Sequence, residues 1–324
     1  MSNIPNTSDS LLKIDSLSIS YFTQRGSISA VDKVTFEVNN GEAFGLAGES
    51  GSGKSTIAQS ILKLLPTNAQ VLNGKIRFED FDILHMKEEE FRAKLRWKRI
   101  STVPQAAMNS LTPVHKINKQ IIEAITAHEH VSSEEALTRT EKLLELVNIP
   151  KERGKDYPHQ FSGGMKQRAV MAMALACNPK LLIADEPTTG LDVITQAEVL
   201  SLLNSLKSKL GLSLIFITHD LSILSELCDR IAIMYAGRIV EQANSRSIFS
   251  NPIHPYTKAL IGSYPDIEGE KDELTAIPEI KLKSDAGSDC SFYSKCEKSV
   301  KQCFEEKIEY HEVEKDHYVL CHLK

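Results

Sequence analysis

Eight residues, Gly48-Glu49-Ser50-Gly51-Ser52-Gly53-Lys54-Ser55, constrain this chain more tightly than any other stretch. They fit G-x-x-x-x-G-K-[ST], a pattern whose meaning depends on what flanks it. Before it stands the short apolar run Ala43–Ala47; after it, residues 54–65 carry apolar side chains at helical spacing. Strand, glycine-rich loop and helix together suit a polyphosphate. Glycines let the main-chain N–H groups turn inward, and a helix start favours anions. Lys54 is placed to reach the β- and γ-phosphates and the Ser55 hydroxyl to ligate Mg²⁺, with Thr56 following on the same helix.

A second stretch supplies what hydrolysis of a nucleotide needs. Leu181-Leu182-Ile183-Ala184 is an apolar, strand-like run that ends in Asp185 and Glu186. A buried strand that delivers acids at its C-terminal edge delivers them where α/β folds bind ligands. Asp185 is expected to hold Mg²⁺, and Glu186 to polarise the attacking water. Alone, two acids at a strand end are unremarkable; with Lys54 in the same chain they form the two halves of one chemistry.

Around these landmarks the sequence alternates. Residues 11–21 and 31–38 read as strands joined by a glycine-bearing turn, and residues 74–78 as another strand. From about residue 88 to 146 the pattern is helical and charged. Strands at residues 212–217 and 231–235 and helices at about 195–210 and 221–227 then follow. This is an α/β domain with a largely parallel sheet and a helical insert. A boundary is expected near residue 250, where prolines punctuate the chain, so that residues 1–250 form one domain and 251–324 a small C-terminal one. No apolar run approaches the ~20 residues that span a bilayer, and the polar start lacks the apolar core of a secretory signal. With 38 Lys and Arg against 43 Asp and Glu among 324 residues, the net charge of −5 argues against a nucleic-acid coat.

Phe161-Ser162-Gly163-Gly164-Met165-Lys166-Gln167-Arg168 resembles the signature sequence of the ABC ATPases, with Phe161 where Leu is usual. Further positions follow in that family's order. Tyr21 matches the aromatic that stacks on adenine. Gln105 matches the glutamine that contacts Mg²⁺ and the lytic water. Thr189-Gly190-Leu191-Asp192 matches the loop that crosses between subunits, and Thr218-His219-Asp220 the switch histidine. The resemblance covers about residues 11–243 and implies a P-loop nucleotide-binding domain of ABC type with a helical subdomain at about 88–178. It also implies a mechanism: two such subunits sandwich two ATP molecules, each loop around Lys54 facing Ser162, Gly163 and Gly164 of the other subunit.

The tail narrows the class. Residues 248–260, which include His254-Pro255-Tyr256-Thr257, resemble the start of the C-terminal extension of oligopeptide/dipeptide importer ATPases. By physics alone that segment is a proline-restricted linker in which Tyr256 could pack on the main domain. Cys290, Cys296, Cys303 and Cys321 are spaced C-x5-C-x6-C-x17-C, unlike a zinc ribbon. In the resembled family this four-cysteine pattern is associated with a 4Fe–4S cluster. Zinc, with His311, His317 or His322 replacing a thiolate, is the alternative, as is no metal at all. Cys177 and Cys228 lie in apolar stretches and read as buried thiols. Residues 266–288, with Ile277-Pro278-Glu279, match the family poorly.

The resemblance implies a second ABC ATPase subunit (commonly a different chain), two transmembrane permease subunits and an extracellular substrate-binding protein. It also implies a peripheral place on the cytoplasmic face of the membrane, and no nucleic acid. Peptide is the family's commonest cargo; nickel or oligosaccharide importers use the same ATPase role. A soluble ABC ATPase of DNA repair is the distant rival, but no sustained heptads separate Lys54 from Asp185. The basic run Arg92, Lys94, Arg96, Lys98, Arg99 reads as a solvated helix face or a contact with the membrane partner.

Overall fold

A computed structural model describes residues 10–263 and 289–322. The expectations placed on residues 266–288, including Pro278, and on most of the polar start lie outside the described residues. The chain divides into two compact units. One takes in residues up to Leu12, Val38–Ala43 and Arg77–Ile217; the other takes in Lys13–Glu37, Phe44–Ile76 and the described residues from Thr218 onward.

In the first unit, the strands Ile100–Val103, Leu181–Asp185 and Ser213–Thr218 run parallel, with Val103 opposite Ala184 and Asp185 opposite Ile217. Leu181–Asp185 is buried along its whole length. That is why it reads as an unbroken apolar run and not as an alternating one. The helices Ile117–Thr126, Ser133–Leu146 and Gly163–Ala174 pack on one another. Ile117, Ile121 and Ile125 recur every four residues and are fully buried, a single apolar stripe on one helix face. Gln120 is buried on the same helix. Its amide oxygen accepts the Thr112 N–H at 2.8 Å, and its Nε2 donates to the Thr112 and His115 carbonyls at 3.1 and 2.9 Å. The Met108–Thr112 stretch is thereby fixed at its far end.

The basic run is paired with acids. Arg96 donates to Glu88 at 2.6 Å, Lys94 to Glu90 at 2.7 Å, and Arg99 to Glu79. Three of its five members are thus charge-compensated.

In the second unit, Ala43–Ala47 runs parallel to Arg230–Tyr235, with Phe44 opposite Arg230 and Ala47 opposite Ile233. Arg230–Tyr235 turns through Ala236-Gly237, both at positive φ, into the antiparallel strand Arg238–Asn244. A two-residue turn of that kind matches the twist of its flanking strands. The tail continues this sheet: His317–Leu320 pairs antiparallel with Arg238–Asn244, and Tyr310–Glu314 pairs with His317–Leu320. The described residues after 250 thus share a unit with the phosphate-binding loop.

Two polar contacts pin the tail. The Arg238 guanidinium bridges Asp32 (2.6 Å) and Asp289 (2.9 Å), whose other oxygen accepts the Ile308 N–H at 3.0 Å. Glu241, fully buried, accepts the Ile253 and His254 N–H groups at 2.8 and 2.9 Å, and its Oε1 lies 2.8 Å from Nε2 of His317. A buried carboxylate is tolerable only with such a set of partners.

Several boundaries differ from the sequence expectation. The helix after the loop spans only Lys54–Ile61, because Lys63 turns to φ 52 ahead of Pro66. The strand expected at residues 74–78 spans Ala69–Phe78. The helix expected from 195 starts at Val193, where Asp192 caps it.

Candidate nucleotide-binding and catalytic site

The phosphate-binding loop is forced into shape by close approach. Gly48 has φ 144, and a Cβ there would lie 2.2 Å from the Met234 carbonyl oxygen; Gly53 has φ 104, and its Cβ would lie 2.3 Å from that of Ala30. No side chain fits at either position, so the glycines of the pattern are demanded by both backbone angle and space. Ser52 donates its N–H to the Glu49 carbonyl at 3.2 Å and accepts the Gly237 N–H at 3.1 Å, tying the loop to the Ala236-Gly237 turn. Lys54 is 5% exposed, and its ammonium donates to the Gly48 and Glu49 carbonyls at 2.6 and 2.8 Å and to the Ser52 hydroxyl at 3.3 Å. No side chain caps the helix that begins at Lys54. Its first N–H groups are therefore oriented for an external acceptor, which is where phosphate oxygens fit. Ser55 and Thr56 stand on that first turn, and the Thr56 hydroxyl lies 3.3 Å from the Tyr21 hydroxyl. The expected adenine-stacking Tyr21 is thus brought to the start of the loop's helix. Ser50 and Gly51 form the exposed crest between these fixed ends.

The carboxylates belong to the first unit. Asp185 ends the buried strand at 9% exposure. Glu186 follows at φ 47, with its N–H donating to the Ile217 carbonyl at 2.9 Å. A glutamate in left-handed backbone is uncommon and costs free energy on the order of 1 kcal/mol. Its Oε2 accepts from the Gln105 Nε2 at 3.0 Å and from the Thr189 hydroxyl at 3.2 Å. Register explains the pairing with Gln105. Val103 lies opposite Ala184 in parallel strands, so the residues two places on emerge side by side at the same sheet edge.

The signature and crossing-loop residues meet at a side chain that the sequence reading did not single out. Ser162 caps the Gly163–Ala174 helix, accepting the Met165 N–H at 3.3 Å. Asp192 caps the Val193–Leu210 helix, accepting the Thr195 N–H at 3.0 Å and its hydroxyl at 2.7 Å. Those two bonds hold the Asp192 carboxyl below the usual carboxylate range. A Cβ on Gly164 would lie 2.4 Å from Cγ2 of the same Thr195, and one on Gly163 3.5 Å from Leu191. Thr195 therefore sets the approach of the signature helix. Its signal was available: Asp followed three residues later by a hydroxyl before an apolar run marks a helix start.

In the second unit, His219 is exposed directly after the Ser213–Thr218 strand. Asp220 caps the next helix, accepting the Ser222 N–H at 3.0 Å.

The cysteines divide as expected in part. Cys177 and Cys228 are buried, and burial pushes the Cys177 thiol up to about 12. Cys290, Cys296, Cys303 and Cys321 line one narrow cavity together with Phe292 and His322. Burial pushes the Cys290 thiol up to about 11, and the three other thiols add to the rise. Yet among the described residues no group of three or more His, Cys, Asp or Glu is gathered to hold a metal ion. That geometry supports neither the expected 4Fe–4S cluster nor its zinc alternative. His311 and His317 do not line the cavity; His317 is instead engaged with Glu241.

Comparison with known proteins decides the family. The ABC transporter family matches residues 31–189, and the C-terminal region of oligopeptide/dipeptide transporters matches residues 240–303. A probable peptide ABC transporter ATP-binding protein of Sinorhizobium fredii is 43% identical over 97% of this chain and 95% of its own length. The chain belongs to the ATP-binding subunits of the ABC transporters, in their oligopeptide/dipeptide branch. The oligopeptide transport ATP-binding protein OppD of Bacillus subtilis is 48% identical over 83% of this chain and 76% of its own. Among solved structures, a post-hydrolysis dimer of the ATP-binding cassette MJ0796 bound to ADP and Pi superposes with a TM-score of 0.64 at 26% identity. It covers 72% of this chain and 99% of that one. This ABC ATPase is an ATP-hydrolysing transport subunit with the P-loop α/β fold, and ATP with Mg²⁺ is its expected nucleotide. No helix among the described residues is long and apolar enough to cross a membrane.

Proposed function

We propose that this chain powers a peptide importer: it hydrolyses ATP at the cytoplasmic face of the membrane and works through closure of a dimer of ATPase subunits. The observation that carries the reading is the order of the two matches, an ABC cassette followed by the oligopeptide/dipeptide C-terminal region. Lys54 and the loop N–H groups bind the β- and γ-phosphates, Tyr21 takes the adenine, and Ser55, Gln105 and Asp185 serve the Mg²⁺ ion. Glu186 accepts the proton of the attacking water, its Oε2 already oriented by Gln105 and Thr189. His219 supports the γ-phosphate. Ser162, Gly163 and Gly164 complete the site of the partner ATPase subunit, so ATP favours the closed dimer and hydrolysis releases it. Two permease subunits ride on that movement, and an extracellular binding protein supplies the cargo. Nickel or oligosaccharide importers would use the same ATPase role; the family branch favours peptide.

Three of the five basic residues in the run are paired with acids, which disfavours the positive face that a DNA-repair ATPase needs. Co-purification of the tagged chain tests the reading. Recovery of two polytopic membrane proteins, with ATPase activity that rises on their addition, is the expected result. Recovery of DNA or ribosomes in their place overturns it.

In the tail, Cys290, Cys296, Cys303 and Cys321 are proposed to hold a 4Fe–4S cluster. All four line one cavity, and cysteine thiolates are the ligands such a cluster takes. When bound, the cluster would staple residues 289–322, a segment too small to bury much apolar surface alone.

A further inference from the structure

The tail reaches the phosphate-binding loop. Tyr256 is fully buried, and its hydroxyl oxygen accepts the N–H of Glu49 at 3.2 Å. The carbonyl of that same residue accepts the Lys54 ammonium at 2.8 Å. The main chain of Glu49 is thus held by the tail at its N–H and by the loop's own lysine at its carbonyl. The Tyr256 ring is itself held, with Tyr235 4.6 Å away and Phe292 5.6 Å away, centroid to centroid. Phe292 lies between Cys290 and Cys296 in sequence and lines the cavity that they share. The Glu49 carboxyl is drawn in too. Its Oε1 is buried and has no hydrogen-bond partner among the described residues. Burial raises its pKa, against the opposing pull of the Lys295 and Lys54 ammonium groups. Lys295 sits one residue before Cys296.

We propose that Tyr256 is a positioning residue for nucleotide binding: it fixes the phosphate-binding loop at Glu49 and makes the loop's geometry depend on how the Phe292–Cys296 segment is seated. The arrangement has a physical logic. The loop's grip on phosphate rests on main-chain N–H groups, which no substitution can reinforce, so orienting them falls to contacts behind the loop. Tyr256 is one such contact, and the cysteine segment is the surface that braces it. The inference rests on the assignment of the loop to nucleotide binding. It does not require any particular occupant of the cysteine cavity.

The test is titration of the full chain with Mg·ATP by calorimetry, alongside thermal melting. Tyr256→Phe keeps the ring packing and removes only the hydroxyl. It is expected to weaken ATP binding about five-fold, the scale of one neutral hydrogen bond, with the melting temperature little changed. In the assembled transporter the KM for ATP rises while kcat stays near wild type. Phe292→Leu should also weaken binding, and should add little in the Tyr256→Phe background, because its effect runs through the same hydroxyl. A folded Tyr256→Phe chain with wild-type affinity overturns the proposal, as do fully additive effects of the two substitutions. If Tyr256→Phe does not fold, Phe292→Leu decides, since it disturbs the ring that braces the phenol: weaker binding supports the proposal and unchanged binding sinks it. Lys54→Ala separates this failure from the broader one. If that variant binds ATP normally, the loop assignment itself is wrong.

Discussion

The side-chain amide of Gln105 lies 3.0 Å from Oε2 of Glu186, across two adjacent parallel strands, and the Thr189 hydroxyl donates to the same oxygen. Two donors on one carboxylate oxygen orient the group at the sheet edge. Glu186→Gln should therefore keep ATP binding and lose turnover by at least about 100-fold, the usual scale for a general base. Single-turnover kinetics with the partner subunits checks it. Steady-state hydrolysis at the wild-type rate would remove Glu186 from that role.

Gly164 faces Thr195 with no room for a methyl group. Gly164→Ala should push the signature helix off the Asp192-capped helix and destabilise the fold by about 1–3 kcal/mol, the range for overpacking. Because the phosphate-binding loop is untouched, ATP affinity of the isolated chain should stay the same while stimulation by the partner subunits is lost. Calorimetric binding and partner-dependent ATPase assays separate the two; weakened binding in the isolated chain would contradict the assignment.

His254 is 2% exposed, and its Nδ1 accepts the Tyr256 N–H at 3.0 Å. That bond requires a neutral ring, and burial holds the pKa down at about 3, against 6.5 for the free side chain. The unfolded chain therefore takes up a proton that the folded one refuses. The His254 contribution is complete above pH 6.5 and declines as pH falls from there toward 3, by about 2 kcal/mol between pH 7 and pH 5. Melting curves across that range should show His254→Asn, which keeps an accepting atom at the helix start, losing less stability on acidification than wild type. Parallel curves for the two would refute the buried neutral histidine.

The cysteine cavity makes a compositional prediction. Chain prepared without oxygen should carry close to four iron atoms and absorb broadly in the visible. Cys303→Ser should lose the iron and lower the melting temperature of the tail. One zinc and no iron, by elemental analysis, would leave the cavity a zinc site after all; no metal would leave it a packing defect lined by thiols.

Much of the local structure of the candidate nucleotide site was legible in the sequence, because its parts are contiguous and locally determined. Gly48 through Ser55, the apolar run into Asp185 and Glu186, and the Ser162-Gly163-Gly164 cap each carry their conformational cause within a few residues. Helix ends were less legible: the turn at Lys63 and the cap at Asp192 moved boundaries by a few residues, since fraying and capping depend on single backbone angles.

What only the tertiary structure decided is which distant residues share an atom. The register of parallel strands set Gln105 on Glu186, and a close helix approach made Thr195 the partner of Gly164. The tail strand returned His317 to Glu241, and a buried phenol joined Tyr256 to Glu49. The spacing of the four cysteines was plain in the sequence, but that they surround a cavity without converging on one point was not. Sequence fixes local backbone preference over a turn or two; contacts between residues scores of positions apart follow from strand register and helix packing, which only the folded chain determines.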